Sequence, residues 1–440
     1  MRSRRSGFAA LLGKERRELI ASRAWWILLL AMGPLVGVTF ISAVQTYAEA
    51  SGLNGTAAGV GEAFSPLVGI WAPTFSACEL AATFLLPFVA IRLVSGDRLS
   101  GALKLELQRP MLPGARIAAK ALVLLAGWIV ASTPVAIAIV MWTRYGGHLF
   151  APELGSVAVG HLLNAGLTIG LAAAAAAVTE HPATAAIVTL AVTVGTWIVN
   201  FLAAVHGGGW ERVAAYTPTA MVAELQHGLI RLAIVSIAIA LSIAGLAAAA
   251  IWLRLGQPVR RRAWESATLA ALTMIAILGL ARININWDAS EDRRNSFSRA
   301  DERVLKQIRG PLNIVAHLAP QDPRRSDLEH RALSKLRRVL PEVNVEYVSA
   351  TSIGLFEQTA DRYGEVWYEL NGRTRMSRST TPEAVLSTIY ALARMESPVD
   401  EEREIPRGYP LPVAPNGAAL VFYGLWPAAV AVIAFIVKRR

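Results

Sequence analysis

Residues 232–253 read LAIVSIAIALSIAGLAAAAIWL, a stretch of 22 residues without a charged side chain. A helix of about 20 mainly apolar residues crosses the hydrocarbon core of a bilayer, because each residue adds about 1.5 Å of length. The stretch therefore predicts a membrane-spanning helix. The same signal recurs on both sides of it, at 25–44, 75–94, 121–142, 157–178, 183–205 and 418–437.

An eighth candidate, 264–283, is weaker, because its uninterrupted apolar core covers only 269–281. Trp264 and Trp287 flank it, and aromatic residues commonly anchor helices at the two bilayer surfaces. The first span starts too late and is too long for a cleaved signal peptide, so we expect it to be retained. The sequence predicts a multi-pass α-helical membrane protein with about eight transmembrane helices.

The composition excludes two broad classes of protein. Of the 440 residues, 54% are hydrophobic and 17% are charged, whereas soluble domains carry roughly 25% charged residues. The first excluded class is therefore a fully soluble protein. Disorder is excluded as well, because so much apolar surface must be buried. The chain's one cysteine, Cys78, excludes a disulfide framework and a cysteine-based metal cluster.

The positive charge is concentrated at the ends of the spans. The net charge is +11, yet residues 283–415 are close to neutral. Lys and Arg accumulate on the cytoplasmic side of membrane proteins. Eight spans with a cytoplasmic N-terminus put every main basic cluster there: 2–23, 92–120, 254–262 and 438–440. We therefore expect cytoplasmic termini, an extracytoplasmic segment 284–415, and no nucleic-acid partner.

The residues before the first span, 1–24, carry an amphipathic pattern. Apolar side chains recur near helical spacing among charged ones, at Phe8, Leu11, Leu12, Leu19 and Ile20. The pattern is typical of a helix that lies in the cytoplasmic interface. A solvated helix that leads into the first span is the alternative.

Between the last two spans the periodicity changes. Four stretches have the pattern of strands, at 312–318, 343–348, 365–370 and 373–377. A helix after the first strand carries one apolar face, formed by Leu328, Ala332, Leu333, Leu336 and Leu340. Ser326 and Glu329 have capping-box spacing at its start, and a further helix begins at Thr381. The order of strands and helices indicates an extracytoplasmic α/β domain over 284–395 with a thioredoxin-like fold. A Pro- and acid-rich tether, 396–415, follows this domain.

Signatures of catalysis are absent from the sequence. The nearest approach to a P-loop, residues 7–15, has five residues between its glycines instead of four, and Glu15 replaces the Ser or Thr that binds Mg²⁺. The His206 to Gly209 stretch lacks an accompanying nucleophile elbow. The seven histidines have no metal-ligand spacing. We therefore predict no catalytic residue, no metal site, no cofactor and no ATP hydrolysis by this chain.

The interior of the spans is nearly free of charge. Charged side chains are expected at span ends, as at Glu79, Arg92, Arg231 and Glu265, and nothing resembles a proton or sodium pathway. Three polar residues lie further in: His161, Asn164 and Asn200. They are candidates for a substrate pathway, and hydrogen bonds between helices are the alternative.

The cytoplasmic segment 95–120 begins SGDRLSGALKLELQRP and enters the third span at Lys120. It resembles the cytoplasmic loop of ABC-2-type permeases, which has an acidic residue, a Gly-Thr-Leu-like step, a leucine-rich short helix, Pro and then Lys. Here Asp97 stands where Glu is usual, and Ala102 stands where Thr is usual. The resemblance implies that 96–116 docks a cytoplasmic ATPase through Asp97, Gly101, Leu103, Leu105, Leu107, Arg109, Pro110 and Lys120. An ordinary connector is the alternative.

Two further segments are similar to parts of the same systems. Residues 217–229 resemble the outer re-entrant segment before the last core helix. Residues 288–393 resemble the extracytoplasmic auxiliary domain of gliding-motility-type ABC systems, in which an Asp after a span leads into a Ser-rich helix cap, here Asp288 and 295–298. The implied layout is a six-helix permease core (25–263), a seventh helix (264–283), the outer domain, and an eighth helix with a basic end (416–440).

The resemblance implies that the protein is the permease subunit of an ABC transporter in a bacterial plasma membrane, and that this transporter is an exporter. Two copies, or one copy with a sister permease, would pair with separate ATPase subunits, and the outer domain would bind an envelope partner. A non-transporting membrane anchor or mechanical component of an envelope or motility assembly is the first alternative. A membrane enzyme is the second, and the missing catalytic constellation weighs against it.

Overall fold

The computed structural model describes residues 2–50, 65–99, 101, 112–206, 209–254, 256–319, 322–348, 362–398, 411 and 413–439. They divide into two units, one comprising Met1–Ala289 with Gly408–Arg440 and the other Ser290–Arg407. The predicted tether lies mostly outside the described residues.

The helical unit contains most of the α-helices. In chain order they are α1 (Arg2–Ala21), α2 (Arg23–Ala50), α3 (Ala72–Phe84), α4 (Leu86–Leu99), α5 (Pro113–Ala131), α6 (Thr133–Arg144), α7 (Ala151–Val178), α8 (Pro182–His206), α9 (Gly209–Ala214), α10 (Pro218–Gln226), α11 (Leu232–Trp252) and α12 (Val259–Leu280). A π-helical turn, Leu67–Trp71, precedes α3, and another, Leu420–Leu425, precedes the last helix of the chain, Trp426–Arg439.

Eight helical stretches among the described residues are long and apolar enough to cross a membrane. They are Arg23–Ala50, Leu67–Asp97, Pro113–Arg144, Ala151–Val178, Pro182–His206, Leu232–Trp252, Val259–Leu280 and Leu420–Arg439. The chain is thus a multi-pass helical membrane protein, as its hydropathy predicts. The weakest candidate from sequence, 264–283, lies mostly within the helix Val259–Leu280, and none of that helix's residues is buried.

The second span differs from its predicted bounds, 75–94. It begins at Leu67 and continues through α3 and α4 to Asp97. The extra turns precede Phe75 and include Trp71, which is buried against Phe40 and Trp142 with ring centroids 6.3 and 6.1 Å apart. Aromatic packing inside the unit therefore extends the helix beyond the stretch that hydropathy marks most strongly.

Glycines allow two pairs of spans to approach closely. A Cβ atom at Gly170 of α7 would lie 2.8 Å from the carbonyl oxygen of Ser242 in α11, and one at Gly245 would lie 2.6 Å from the carbonyl carbon of Gly170. On α2, Gly33 lies under the indole of Trp426, whose Nε1 donates to the carbonyl oxygen of Leu29 at 2.7 Å. Small residues at such contacts are the usual means of packing membrane helices.

A two-stranded ribbon joins the segments that flank α11 and α12. Strand β1 (Leu229–Arg231) pairs antiparallel with β2 (Asn286–Asp288), with Ile230 opposite Trp287. The ribbon precedes α11 and follows α12, so the two ends of this helical hairpin lie on one side. The segment predicted as re-entrant, 217–229, contains α10, which packs against α7.

The second unit is built on a four-stranded sheet. Its elements are α13 (Arg299–Leu305), β3 (Leu312–Ala316), α14 (Pro323–Asp327), a π-helical turn (Leu328–Leu333), α15 (Ser334–Val339), β4 (Val343–Tyr347), β5 (Val366–Leu370), β6 (Arg373–Ser377) and α16 (Pro382–Ala393). The strand order is β4-β3-β5-β6, with β3 and β4 parallel and the other neighbours antiparallel. The four predicted strands are confirmed within one or two residues.

The helices of this unit cover the sheet with the side chains expected from periodicity. All five residues of the predicted apolar face are buried: Leu328, Ala332, Leu333, Leu336 and Leu340. The predicted capping box at Ser326 and Glu329 is wrong, because the helix starts earlier. Asp322 is its N-cap and accepts from the backbone N–H of Arg324 at 2.9 Å. The helix predicted to begin at Thr381 does so, with the Thr381 hydroxyl accepting from the Ala384 N–H.

Candidate functional site

Two of the residues predicted to dock an ATPase form a buried ion pair. Asp97 lies near the end of α4, at the start of the 96–116 loop, and Lys120 lies in α5, four residues after the loop ends. The Lys120 Nζ atom is 2.6 Å from Asp97 Oδ2 and donates to the carbonyl oxygen of Leu93 at 2.9 Å. Both side chains are about 5% exposed or less. The two ends of the predicted docking loop are therefore tied to each other.

Helix α1 contributes three further charges to this ion pair. Lys120 Nζ lies 2.7 Å from Glu15 Oε2, and Lys14 Nζ lies 2.8 Å from Asp97 Oδ1 and 3.0 Å from Glu18 Oε1. We call Lys14, Glu15, Glu18, Asp97 and Lys120 the buried ion cluster. It joins α1, α4 and α5, which also contact one another.

Sequence reasoning missed Glu15 as a member of a site. The signal was present, because Glu15 stands four residues from both Leu11 and Leu19 and so lies on their stripe of the helix. Leu11 and Leu19 are buried, and Glu15 is completely buried between them. A carboxylate on the apolar stripe of an amphipathic helix requires a buried cation as a partner, and Lys120 supplies it.

The charges within the cluster are nearly balanced. Three carboxylates share two ammonium groups. Desolvation makes Glu15, Asp97 and Lys120 depend on their neighbours, whereas Lys14 and Glu18 are 31% and 36% exposed at the edge of the cluster. Burial raises the pKa of the Glu15 carboxyl above its usual value, and the nearby Lys120 ammonium opposes this rise. Carboxylate oxygens of Glu15, Glu18 and Asp97 lie within 4.8 Å of one another, as in a metal site. Each of them already contacts a lysine ammonium, so the arrangement acts as a charge-paired joint between helices.

The other six predicted docking residues are not members of the buried ion cluster as the structure describes it. Gly101 is exposed and has a φ of 73°, which suits a glycine at a turn. Five predicted docking residues lie outside the described residues: Leu103, Leu105, Leu107, Arg109 and Pro110. Their role stays a prediction.

The three predicted pathway residues are not brought together. His161 is buried, stacks on Phe75 with centroids 5.2 Å apart, and its Nε2 lies 3.2 Å from Nε2 of Gln226. Asn200 Oδ1 accepts from the hydroxyl of Thr217 at 2.9 Å. These two residues therefore make contacts between helices. Asn164 lines a cavity.

That cavity, about 250 Å³ in volume, lies among α3, α7, α8, α10 and α11. We call it the mid-membrane cavity. Its polar wall includes Glu79, Asn164, Thr193 and Thr196, and its remaining wall is mainly apolar. The expectation that Glu79 lies at a span end is wrong, because the span starts at Leu67 and Glu79 is its thirteenth residue.

Comparison of the chain with protein-family models, with curated proteins and with solved structures gives no match.

Proposed function

We propose that this protein is the permease subunit of an ABC-2-type exporter, driven by a separate cytoplasmic ATPase that docks on the 96–116 loop. The observation that carries the proposal is the buried ion cluster. It fixes both ends of the loop to each other and to α1, through Asp97, Lys120 and Glu15. A loop that transmits force into membrane helices needs such fixed ends, and an ordinary connector does not.

In this proposal the cluster transmits the movement of the ATPase. Closure of the ATPase dimer pulls on the loop, and α1, α4 and α5 move as one body because separating their buried charges is costly. The residues that would touch the ATPase are the leucines and Arg109 of the loop, as the resemblance implies. The chain itself supplies no ATP-hydrolysing residue in this scheme.

The proposed assembly contains two permease subunits, identical or related, and two ATPases in a bacterial plasma membrane. Both termini lie in the cytoplasm and the Ser290–Arg407 unit lies outside. The distribution of Lys and Arg supports this orientation. The β1–β2 ribbon supports the hairpin of α11 and α12 that this topology needs, because it keeps the segments before α11 and after α12 on one side.

For the second unit we propose a thioredoxin-like fold that recognises an envelope partner or the transported material. The support is its topology, a parallel β3–β4 pair with helices between the strands, followed by antiparallel β5 and β6 and then α16. The chain's one cysteine is Cys78, far from this segment, so the unit cannot exchange disulfides. Its nearly cancelled charge favours recognition by shape over attraction of polyanions.

A membrane anchor or mechanical component of an envelope assembly remains the second candidate function. Crosslinking distinguishes the two. In a Cys78→Ser background, Gln108→Cys in the loop should crosslink to the candidate ATPase subunit. Arg260→Cys, in the first turn of α12 and in another segment predicted to be cytoplasmic, and Ser379→Cys, in the second unit, serve as controls. Crosslinking at 108 alone supports the proposal, whereas equal behaviour at all three positions contradicts it.

A further inference from the structure

Glu79 lies deep within the membrane-spanning part of the protein. It is the thirteenth residue of a 31-residue span, so about 18 Å of helix separate it from the Leu67 end. Asn164 and Thr193, which line the same cavity, lie near the middle of α7 and α8. A charged side chain at such depth is costly, and ionisable residues inside membranes commonly mark a functional site.

The carboxylate has no cationic partner among the residues that the structure describes. No Lys, Arg or His of the described chain forms an ion pair or a hydrogen bond with Glu79. The buried ion cluster is the contrasting case, because each of its carboxylates contacts a lysine. Glu79 instead faces the mid-membrane cavity, where a ligand can supply its counter-charge.

The polar wall of the cavity is rich in hydrogen-bond acceptors. The Thr193 hydroxyl donates to the carbonyl oxygen of Thr189 at 3.1 Å, and the Thr196 hydroxyl donates to that of Thr193 at 2.7 Å. Their protons are thereby committed to the helix, and their oxygen lone pairs remain available. The indole of Trp197 also lines the cavity, and an indole face attracts cations. The wall therefore suits a ligand that carries positive charge and donates hydrogen bonds.

The volume of the mid-membrane cavity and its apolar walls favour an organic cation over an inorganic one. A water molecule takes about 30 Å³ of liquid volume, so a cavity of about 250 Å³ holds far more than a single ion. A metal ion needs oxygen ligands all around it, whereas much of this wall is hydrocarbon, from Leu167, Leu171, Val192 and Leu241. An alkyl or aryl group matches that part of the wall.

We propose that the mid-membrane cavity binds a small organic ammonium ion, with its nitrogen at Glu79 and its hydrocarbon part against the leucines. The ammonium group donates to the Glu79 carboxylate and to the threonine oxygens, and Trp197 covers the charge. The inference does not rest on the proposed transport function, because it concerns equilibrium binding to the protein itself.

The test measures binding of radiolabelled 2-phenylethylammonium to the full-length protein in lipid nanodiscs. Saturable binding is expected for the wild type and for Glu180→Gln, which removes an exposed carboxylate at the end of α7. Glu79→Gln should weaken binding roughly tenfold or more, because it removes a charged hydrogen-bond partner. Thr193→Val, which keeps the side-chain shape, should weaken it by a smaller factor. Equal binding by wild type and Glu79→Gln, or no saturable binding at all, overturns the proposal.

A second measurement uses the wild-type protein alone, in case Glu79→Gln fails to fold. Dicyclohexylcarbodiimide modifies carboxyl groups in apolar surroundings, and mass spectrometry of the Glu79 peptide reports the adduct. 2-Phenylethylammonium should protect Glu79, and neutral 2-phenylethanol at equal concentration should not. Equal protection by the two compounds contradicts the ammonium assignment. Protection by sodium ions alone shows an inorganic cation site and likewise contradicts it.

Discussion

At the scale of single residues, Lys120 holds the buried ion cluster together, because its ammonium group contacts Glu15, Asp97 and the Leu93 carbonyl. Among the described residues, Lys120→Met leaves the three carboxylates with a single lysine partner, Lys14. Removing one partner of a buried ion pair costs about 3–5 kcal/mol, so we expect a markedly lower unfolding temperature in detergent. Lys120→Arg should retain most of the stability. Arg17→Met, which removes an exposed charge from α1, is the control, and equal stability of Lys120→Met and this control contradicts the prediction.

Asp322 gives a prediction about pH at the same scale. Its hydrogen bonds with Arg324, and a further one from the Tyr363 hydroxyl, lower its pKa to about 2, against about 3.9 in an unfolded chain. A carboxyl whose pKa is lowered by folding stabilises the fold above pH ~4, and this contribution is lost as the pH falls toward 2.

We therefore expect Asp322→Asn to reduce hydrogen-exchange protection of residues 323–339 near neutral pH. The difference from wild type should shrink between about pH 4 and pH 2, because the wild-type carboxyl then gains its proton. Asn also caps helices well, so the comparison isolates the charge. Exchange is compared at matched pH, which cancels intrinsic rates. A difference that stays constant down to pH 2 would refute the assignment.

At the scale of elements, the packing of α7 against α11 depends on glycine. Gly170→Leu places a side chain where even a Cβ atom would lie 2.8 Å from the backbone oxygen of Ser242. Overpacking of this kind costs about 1–3 kcal/mol, and we expect a lower unfolding temperature in detergent. Gly195→Leu in α8 is the matched control, since nothing lies within 4 Å of its Cβ position. Equal effects of the two substitutions would show that helix propensity, not the close approach, determines the result.

At the scale of the whole molecule, the proposed topology predicts which surfaces an impermeant reagent reaches. In a Cys78→Ser background, Ser379→Cys should react with a membrane-impermeant maleimide in intact spheroplasts. Arg260→Cys should react only after permeabilisation. Both positions are exposed, so burial does not explain a difference between them. Reaction of Arg260→Cys in intact spheroplasts, with none at Ser379→Cys, reverses the orientation.

The sequence by itself determined the features that depend on local pattern. Long apolar runs specify spans, because lipid offers no partner for backbone polar groups. The alternating strands and the Leu328-to-Leu340 face of the second unit follow from side-chain periodicity in the same way. Asp97 and Lys120 were identified by their resemblance to a family motif. The sequence between them does not predict how far apart their side chains lie in the fold.

Only the tertiary structure decided which charges meet. The pairing of Glu15 with Lys120 joins residues 105 positions apart, and no local pattern encodes such a contact. Glu79 was misplaced because hydropathy marks the most apolar part of a span, whereas buried aromatic packing at Trp71 sets where the helix begins. Asp322, and not Ser326, is the N-cap of this helix, because the Asp322 carboxylate accepts hydrogen bonds from both the backbone N–H and the side chain of Arg324. Charge partners and helix ends depend on neighbours distant in sequence, which the folded chain alone brings together.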